Sequence, residues 1–348
     1  MQRLILVFSL MLFTFTCSTS PYHDLQLTSE QRAGLLSILK EMESQYDPVE
    51  KMLVSDFSSP GYHTTLKDGV VHRTRQSLQY AASCLDSGDP ELVKRGFDII
   101  ERVIQLQDQN PQSNTYGIWS WFLEEPLEQM SPPDWNWADF CGVQLLQAVI
   151  YHHDTFPPAL LDKVNEALYH AARSIEKRNV GPGYTNIAIM GTYVTLMTAE
   201  LQQLDDLKEY AQNRLRRFYD YTMEQGGFTE YNSPTYTIVA LEELSRMRLH
   251  VVDLRSRKKI EELYDFAWKE IATHFHPPTR QWGGPHSRSY STLLSNKTLA
   301  LLQAATSDRV QFTEIGEYND LEAHRLLPIC PSQFEFYFVD LSEPRSVE

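Results

Sequence analysis

Four polar landmarks recur along the chain at nearly constant intervals: Asp139, Asn186, Tyr236 and Ser289 lie 47, 50 and 53 residues apart. A hairpin of two helices of about 20 residues each, with its loops, has this length. The interval restricts the chain to an architecture that repeats helix pairs. Around the landmarks, apolar segments alternate with charged ones. The run from Asn186 through Gly191 is apolar nearly all round, the mark of a helix covered on every side, whereas 205–223 and 256–274 are amphipathic and belong outside. The expectation is an all-α chain folded as an (α/α) toroid, an incomplete barrel of five to six helical hairpins. Its inner helices would all start at one end, where unpaired N–H groups and positive dipole ends favour an anion such as a carboxylate.

Local signals place the helices. Thr28-Ser29-Glu30-Gln31 has the form of a capping box ahead of Leu35, Leu36, Ile38 and Leu39. Further helices are expected over about 71–85, 91–107, 134–152 and 158–178, then from Asn186, over 205–223, 234–250 and 256–274, and after Gly283-Gly284-Pro285. The run Gln333-Phe334-Glu335-Phe336-Tyr337-Phe338-Val339 follows Pro328 and Pro331 and reads as a short β-strand tail. It either caps the ring or begins a β domain. Three segments result: a leader over 1–20, the toroid over 21–305 and the tail over 306–348.

In the leader, Met1-Gln2-Arg3 precedes an apolar run from Leu4 to Phe15, which suits a signal peptide and is too short for a membrane span. Cys17 follows at once, with Ser18, Thr19 and Ser20, as in a bacterial lipoprotein signal where that cysteine is acylated. Ordinary cleavage nearby is the other reading. Both imply export, to the periplasm, to the outer membrane through a lipid anchor, or out of the cell. The net charge of -15 argues against a nucleic-acid partner, which needs clustered Lys and Arg. An anionic ligand would need a local positive pocket on this acidic body. Cys84, Cys141 and Cys330 are too sparse for a disulfide framework and read as buried thiols. No metal site and no cofactor is expected, since neither ligand spacing nor a phosphate loop is present.

The most informative stretch is Gly226-Gly227-Phe228-Thr229-Glu230-Tyr231-Asn232-Ser233-Pro234-Thr235-Tyr236, a glycine turn leading into a helix with Ser233 as N-cap and Pro234 in the first turn. It resembles the Gly-x-x-x-Glu-x-Ser-Pro-x-Tyr segment of heparinase II/III-like and alginate-lyase-like polysaccharide lyases. That resemblance implies a catalytic acid/base at Tyr236 and a uronate-carboxylate ligand at Asn186. β-Elimination removes a proton next to a carboxylate, so the carboxylate charge must be neutralised by aimed hydrogen bonds. A phenol can then move the proton. Trp282-Gly283-Gly284-Pro285-His286-Ser287-Arg288-Ser289-Tyr290 supplies the remaining groups: His286 as base or donor, Arg288 as a planar fork for a carboxylate, and Tyr290 beside them.

Trp119, Trp121, Trp135 and Trp137, with Tyr231, suit stacking on sugar rings. Asp139 and Glu230 offer two carboxylates, so a uronate-directed glycoside hydrolase is the alternative enzyme, and a surface glycan-binding protein is the alternative outside enzymes. His63, His72, Arg73 and Arg75 are weaker candidates for the same rim. His152-His153-Asp154, His274 and His276 read as polar helix ends. The expected partner throughout is an acidic poly- or oligosaccharide.

Overall fold

The computed structural model describes residues 22–59, 62–291, 293–316, 318 and 320–339; the leader and Cys17 lie outside the described residues. Helix α1 (Ser29–Glu41) is followed by strands β1 (Tyr46–Asp47), β2 (Met52–Ser58) and β3 (Asp68–His72), which form one small antiparallel sheet. Four helical hairpins come next: α2 (Thr74–Ser87) with α3 (Pro90–Ile104), α4 (Trp137–His152) with α5 (Pro158–Arg178), α6 (Thr185–Gln202) with α7 (Asp205–Gln225), and α8 (Tyr236–His250) with α9 (Leu254–His274). Strands β4 (Phe275–His276) and β5 (Gln281–Trp282) pair in a second two-stranded sheet, ahead of α10 (Asn296–Ala305) and α11 (Ser332–Val339).

The expected start of the first helix holds because Thr28 and Gln31 cap one another reciprocally, at 3.1 and 3.0 Å. The first member of each hairpin packs on the next, α2 on α4, α4 on α6 and α6 on α8, while α3, α5, α7 and α9 lie behind them. Every residue of α6 from Thr185 to Ala199 is buried, whereas α7 buries a single stripe of Leu207, Ala211, Arg214, Leu215, Phe218 and Thr222. Inner and outer helices are therefore separated by composition, as the alternation implies.

Two expectations are corrected. Among the described residues the fold is all-α with two small sheets, and no sheet closes into a barrel or toroid. The two end helices of the inner row, α2 and α8, are bridged by an irregular segment: Glu322 accepts from Gln79 at 3.2 Å and from Arg246 at 2.8 Å, and Ser83 donates to the Leu321 carbonyl at 3.0 Å. The tail is helical as well. In α11 the ring of Phe338 packs 5.1 Å from Phe275 and 6.3 Å from Trp268 of α9, and Glu335 pairs with Arg309. A strand there would need a sheet edge beside it; a helix satisfies its own backbone and turns its aromatic stripe onto α9.

Close packing fixes the loop before α4. Gly117 has φ +77°, and a Cβ there would stand 2.3 Å from the His170 carbonyl oxygen and 2.6 Å from the Ser174 Cβ on α5. Gly117→Ala is expected to cost ~2–4 kcal/mol, from left-handed backbone strain plus overpacking, read as a lowered urea midpoint.

At the far end of the inner row His250 joins three helices. Its Nε2 lies 2.8 Å from the Tyr151 hydroxyl and its Nδ1 2.7 Å from the Tyr193 hydroxyl, and burial holds its pKa well below the ordinary histidine value. The unfolded chain takes up this proton below about pH 6.5 while the folded chain does not, so His250 lowers stability as pH falls, by at most about 1.4 kcal/mol per pH unit. The stability difference between wild type and His250→Gln, measured by urea unfolding, is expected to shrink as pH is lowered from about 7 to 5. No helix among the described residues is long and apolar enough to cross a membrane.

Candidate functional site

The motif loop between α7 and α8 is held by its polar groups. Gly226 ends α7 at φ +69°, and the chain then crosses to the start of α6. There Glu230 Oε2 accepts from the Asn186 N–H at 3.0 Å, and the Glu230 N–H donates to Thr185 Oγ1 at 3.3 Å. A carboxylate on a helix N-terminus is favoured by the dipole, although burial is the largest influence on Glu230 and raises its pKa. Ser233 Oγ accepts the Tyr236 N–H at 3.1 Å, which starts α8.

Asn232 straps this loop to the next. Its Nδ2 donates to the carbonyls of Gly283 and Pro285 at 2.7 and 2.9 Å, and the Ser287 N–H donates to the Tyr231 carbonyl at 3.0 Å. These contacts need an extended chain with free carbonyls. Residues 283–291 are consequently a loop, and the helix expected directly after Pro285 begins only at Asn296. Ser289 thus marks a loop rather than a helix start.

The strapped loop delivers Arg288 and Tyr290 to Tyr236. The Tyr236 and Tyr290 hydroxyls are 3.1 Å apart, and Arg288 Nη1 donates to the Tyr236 hydroxyl at 3.3 Å. The guanidinium lies over the rings of Tyr236 and Tyr184, at 5.1 and 5.5 Å, with its Nε 3.5 Å from Glu230 Oε1. Burial, helped by the bond to Tyr290 and opposed by Arg288, pushes the Tyr236 phenol up to about 12, so it rests as a proton donor. Tyr184 continues the chain of contacts: Asn136 Nδ2 donates to its hydroxyl at 3.3 Å, and Arg178 donates to Asn136 Oδ1 at 2.6 Å. Two arginines, Arg178 and Arg288, thereby stand at one rim of an acidic protein.

Other candidates are placed differently. Both ring nitrogens of His286 face backbone carbonyls, Asn232 at 2.7 Å and Trp282 at 3.1 Å, so the ring fastens the strap. Asn186 is 3% exposed, and its Oδ1 is buried without a hydrogen-bond partner. Asp139 is sealed under α6, where a Cβ on Gly191 would meet its Oδ1 at 2.6 Å, and burial pushes its pKa up to about 7. Trp119 is fully buried with its indole on the Val103 carbonyl, which corrects its assignment as a sugar platform: it is core. Trp121 and Trp137 are half-buried with ring centroids 5.1 Å apart, and Trp135 donates to the Asn114 carbonyl. Tyr231 is exposed and bonded to His274 Nε2 at 2.8 Å, giving that histidine a positioning role the sequence reading missed. His72 is engaged by Asp47 and Glu124, and Arg73 lies over Phe57 and Phe122, so both serve the first sheet. Tyr184 was also missed; its only signal is its position after Gly183 at a helix start. Cys84, Cys141 and Cys330 are buried and free, and no group of His, Cys, Asp or Glu among the described residues has metal-holding geometry.

These features define a protein of stacked helical hairpins with a tyrosine- and arginine-lined rim where the loops before α6 and α8 meet the 282–290 loop. The chain belongs to the family described as a domain of unknown function (DUF8769), whose model matches residues 37–320. No curated protein and no solved structure matches it.

Proposed function

We propose that the protein is an exported enzyme that cleaves a uronate-containing glycan by β-elimination at the Tyr236 rim. The observation that carries this reading is the Tyr236 phenol held between Tyr290 and Arg288, with a guanidinium stacked on the same ring. Arg288 is the carboxylate ligand, and neutralising that charge acidifies the neighbouring C–H. Tyr236, protonated at rest, gives its proton to the leaving oxygen while its own oxygen takes up the proton lost from that C–H, so the C–O bond breaks, the C=C bond forms and the phenol is regenerated; Tyr290 and Arg288 fix the direction of the phenol. Arg178 offers a second contact for an acidic chain, and Trp135, Trp137 and Trp121 line sugar subsites beyond it. Glu230 orients Arg288 and the start of α6. His286 acts on this chemistry only through the strap that carries Arg288.

The leader supports export, with lipid anchoring at Cys17 as the finer assignment; Cys17→Ala would then move the protein from the membrane fraction to the soluble one. The enzymatic reading is tested by incubating the mature protein with a panel of uronate-containing glycans while following the ultraviolet absorbance of unsaturated products and the release of reducing ends. Elimination raises both. Reducing ends without absorbance would replace it with hydrolysis, and binding without either would make the protein a glycan-binding module.

A further inference from the structure

The turn between α8 and α9 is basic on an acidic protein. From Arg248 to Glu262 five cations, Arg248, Arg255, Arg257, Lys258 and Lys259, accompany three carboxylates, Asp253, Glu261 and Glu262, in a chain whose net charge is -15. The carboxylates are largely committed. Asp253 caps α9 by accepting the Ser256 N–H at 2.9 Å, and Glu261 pairs with Arg248 at 2.7 Å. Glu262 accepts from the Tyr219 hydroxyl and lies 3.9 Å from Lys258 Nζ. Among the described residues Arg255 and Arg257 pair with no carboxylate. A helix N-terminus is the positive end of the dipole, so cations gathered at the start of α9 work against the helix. Their placement serves something outside it.

The apolar residues beside them are equally exposed. Leu254 is 73% exposed and Leu249 48%, on the two sides of the short turn over 251–253. Along the start of α9, Leu254, Arg255 and Lys258 face solvent, whereas Ser256, Ile260 and Leu263 face the core. Single exposed leucines are ordinary. Leucines set among unpaired cations form the pattern of a helix that rests on an anionic lipid surface.

The leader reaches the same end of the molecule. The His23 N–H donates to the Ile150 carbonyl at 3.0 Å, and the His23 ring lies 5.2 Å from that of His250, the neighbour of Leu249. The Tyr22 ring lies 4.2 Å from that of His153. Cys17 is five positions before Tyr22, a span of at most about 18 Å. An acyl group on Cys17 would therefore hold this end against a bilayer. A single acyl chain attaches reversibly, and a basic patch is one of the second contacts that make attachment stable.

We propose that the α8–α9 turn is a peripheral membrane contact, with Arg255, Arg257, Lys258 and Lys259 on anionic phospholipid headgroups and Leu249 and Leu254 at the boundary with the acyl chains. The arrival of the leader at this turn favours a lipid surface over a soluble acidic protein. Tyr236 starts α8 at its other end, about 22 Å away along a helix of 15 residues, so the rim is held off the bilayer. The contact does not depend on the reaction at the rim.

The experiment is sedimentation of the unacylated mature chain with vesicles of phosphatidylcholine alone or with added phosphatidylglycerol. Binding to the anionic vesicles is expected, weakening as salt is raised, with little binding to phosphatidylcholine. Arg255→Ala and Arg257→Ala should each weaken it about fivefold, the contribution of one cation near such a surface, and the double variant by more than about tenfold. Leu254→Ser should weaken it with its salt dependence unchanged. Arg288→Ala, which removes a rim cation, should leave it as it was. No binding to anionic vesicles, equal binding to phosphatidylcholine, full binding by the folded double variant, or equal loss in Arg288→Ala would each overturn the assignment. Tighter binding to soluble polyglutamate than to the vesicles would overturn it too, giving the turn to an acidic polypeptide.

Discussion

Tyr236→Phe is expected to lower the rate of glycan elimination by about 10²–10⁴-fold, the usual contribution of a positioned proton-transfer group. The substitution removes one oxygen and keeps the ring on which Arg288 rests at 5.1 Å. The start of α8 is unaffected, because the Ser233 cap bonds the backbone of residue 236 rather than its side chain. Binding of the glycan should therefore persist while turnover falls, a loss in kcat with little change in KM. Arg288→Lys should act on both. A lysine keeps the charge but not the planar fork that reaches the Tyr236 hydroxyl and stacks on Tyr184. Steady-state rates of the two variants on the glycan that responds best would check this. A Tyr236→Phe enzyme with wild-type turnover would remove the phenol from the mechanism.

Asp86→Ala is expected to destabilise the protein by about 3–5 kcal/mol, because it takes the nearer counter-charge from the buried Arg325 guanidinium and a hydrogen-bond acceptor from two histidines. Asp86 is buried on α2 with His152 Nε2 at 2.7 Å, His324 Nε2 at 2.8 Å and Arg325 Nη1 at 3.1 Å, and the side chain of Arg325 is wholly buried. Burial alone would raise this carboxyl, but Arg325 and the two histidines outweigh it and hold the pKa well below the ordinary aspartate value. A folded pKa below the unfolded one means that the contribution is complete above about pH 3.9 and is lost as pH falls toward the folded value. The gap between wild type and Asp86→Ala in urea unfolding should accordingly be widest near neutrality and close in acid. The same variant should loosen the 320–326 segment that bridges α2 to α8, so its amides should exchange faster. A gap below about 1 kcal/mol near neutrality would show that the cluster is not electrostatically anchored.

Much of the local structure is legible in the sequence. Thr28 with Gln31, Asp89 before Pro90, and Gly226 after a charged helix are signals that depend on neighbouring residues alone, and each sits at a helix end. The apolar run from Asn186 onward marks the most enclosed helix because a segment with no polar stripe has no face to give to water. The motif loop and the 282–290 loop were both singled out from their residue types. Their meeting rests on Asn232, whose amide reaches two carbonyls more than 50 residues away.

What the sequence by itself determined is the succession of helix pairs, the layer each helix occupies and the residue types at the rim, since capping, periodicity and polarity are local quantities. Tertiary structure decided the rest. An eight-residue aromatic run from Ser332 fits a strand or a helix by pattern, and only the receiving face of α9 made it a helix. Trp119 and Trp137 look alike in sequence, yet one is sealed in the core and the other lines the surface, because burial depends on what comes from elsewhere in the chain. Arg75 gave no strong signal, since its place over the Phe140 ring depends on how α4 packs against α2. The cavity between the inner helices is lined by α2, α4, α6, α8, α10 and the 320–322 segment, and no window of sequence contains it.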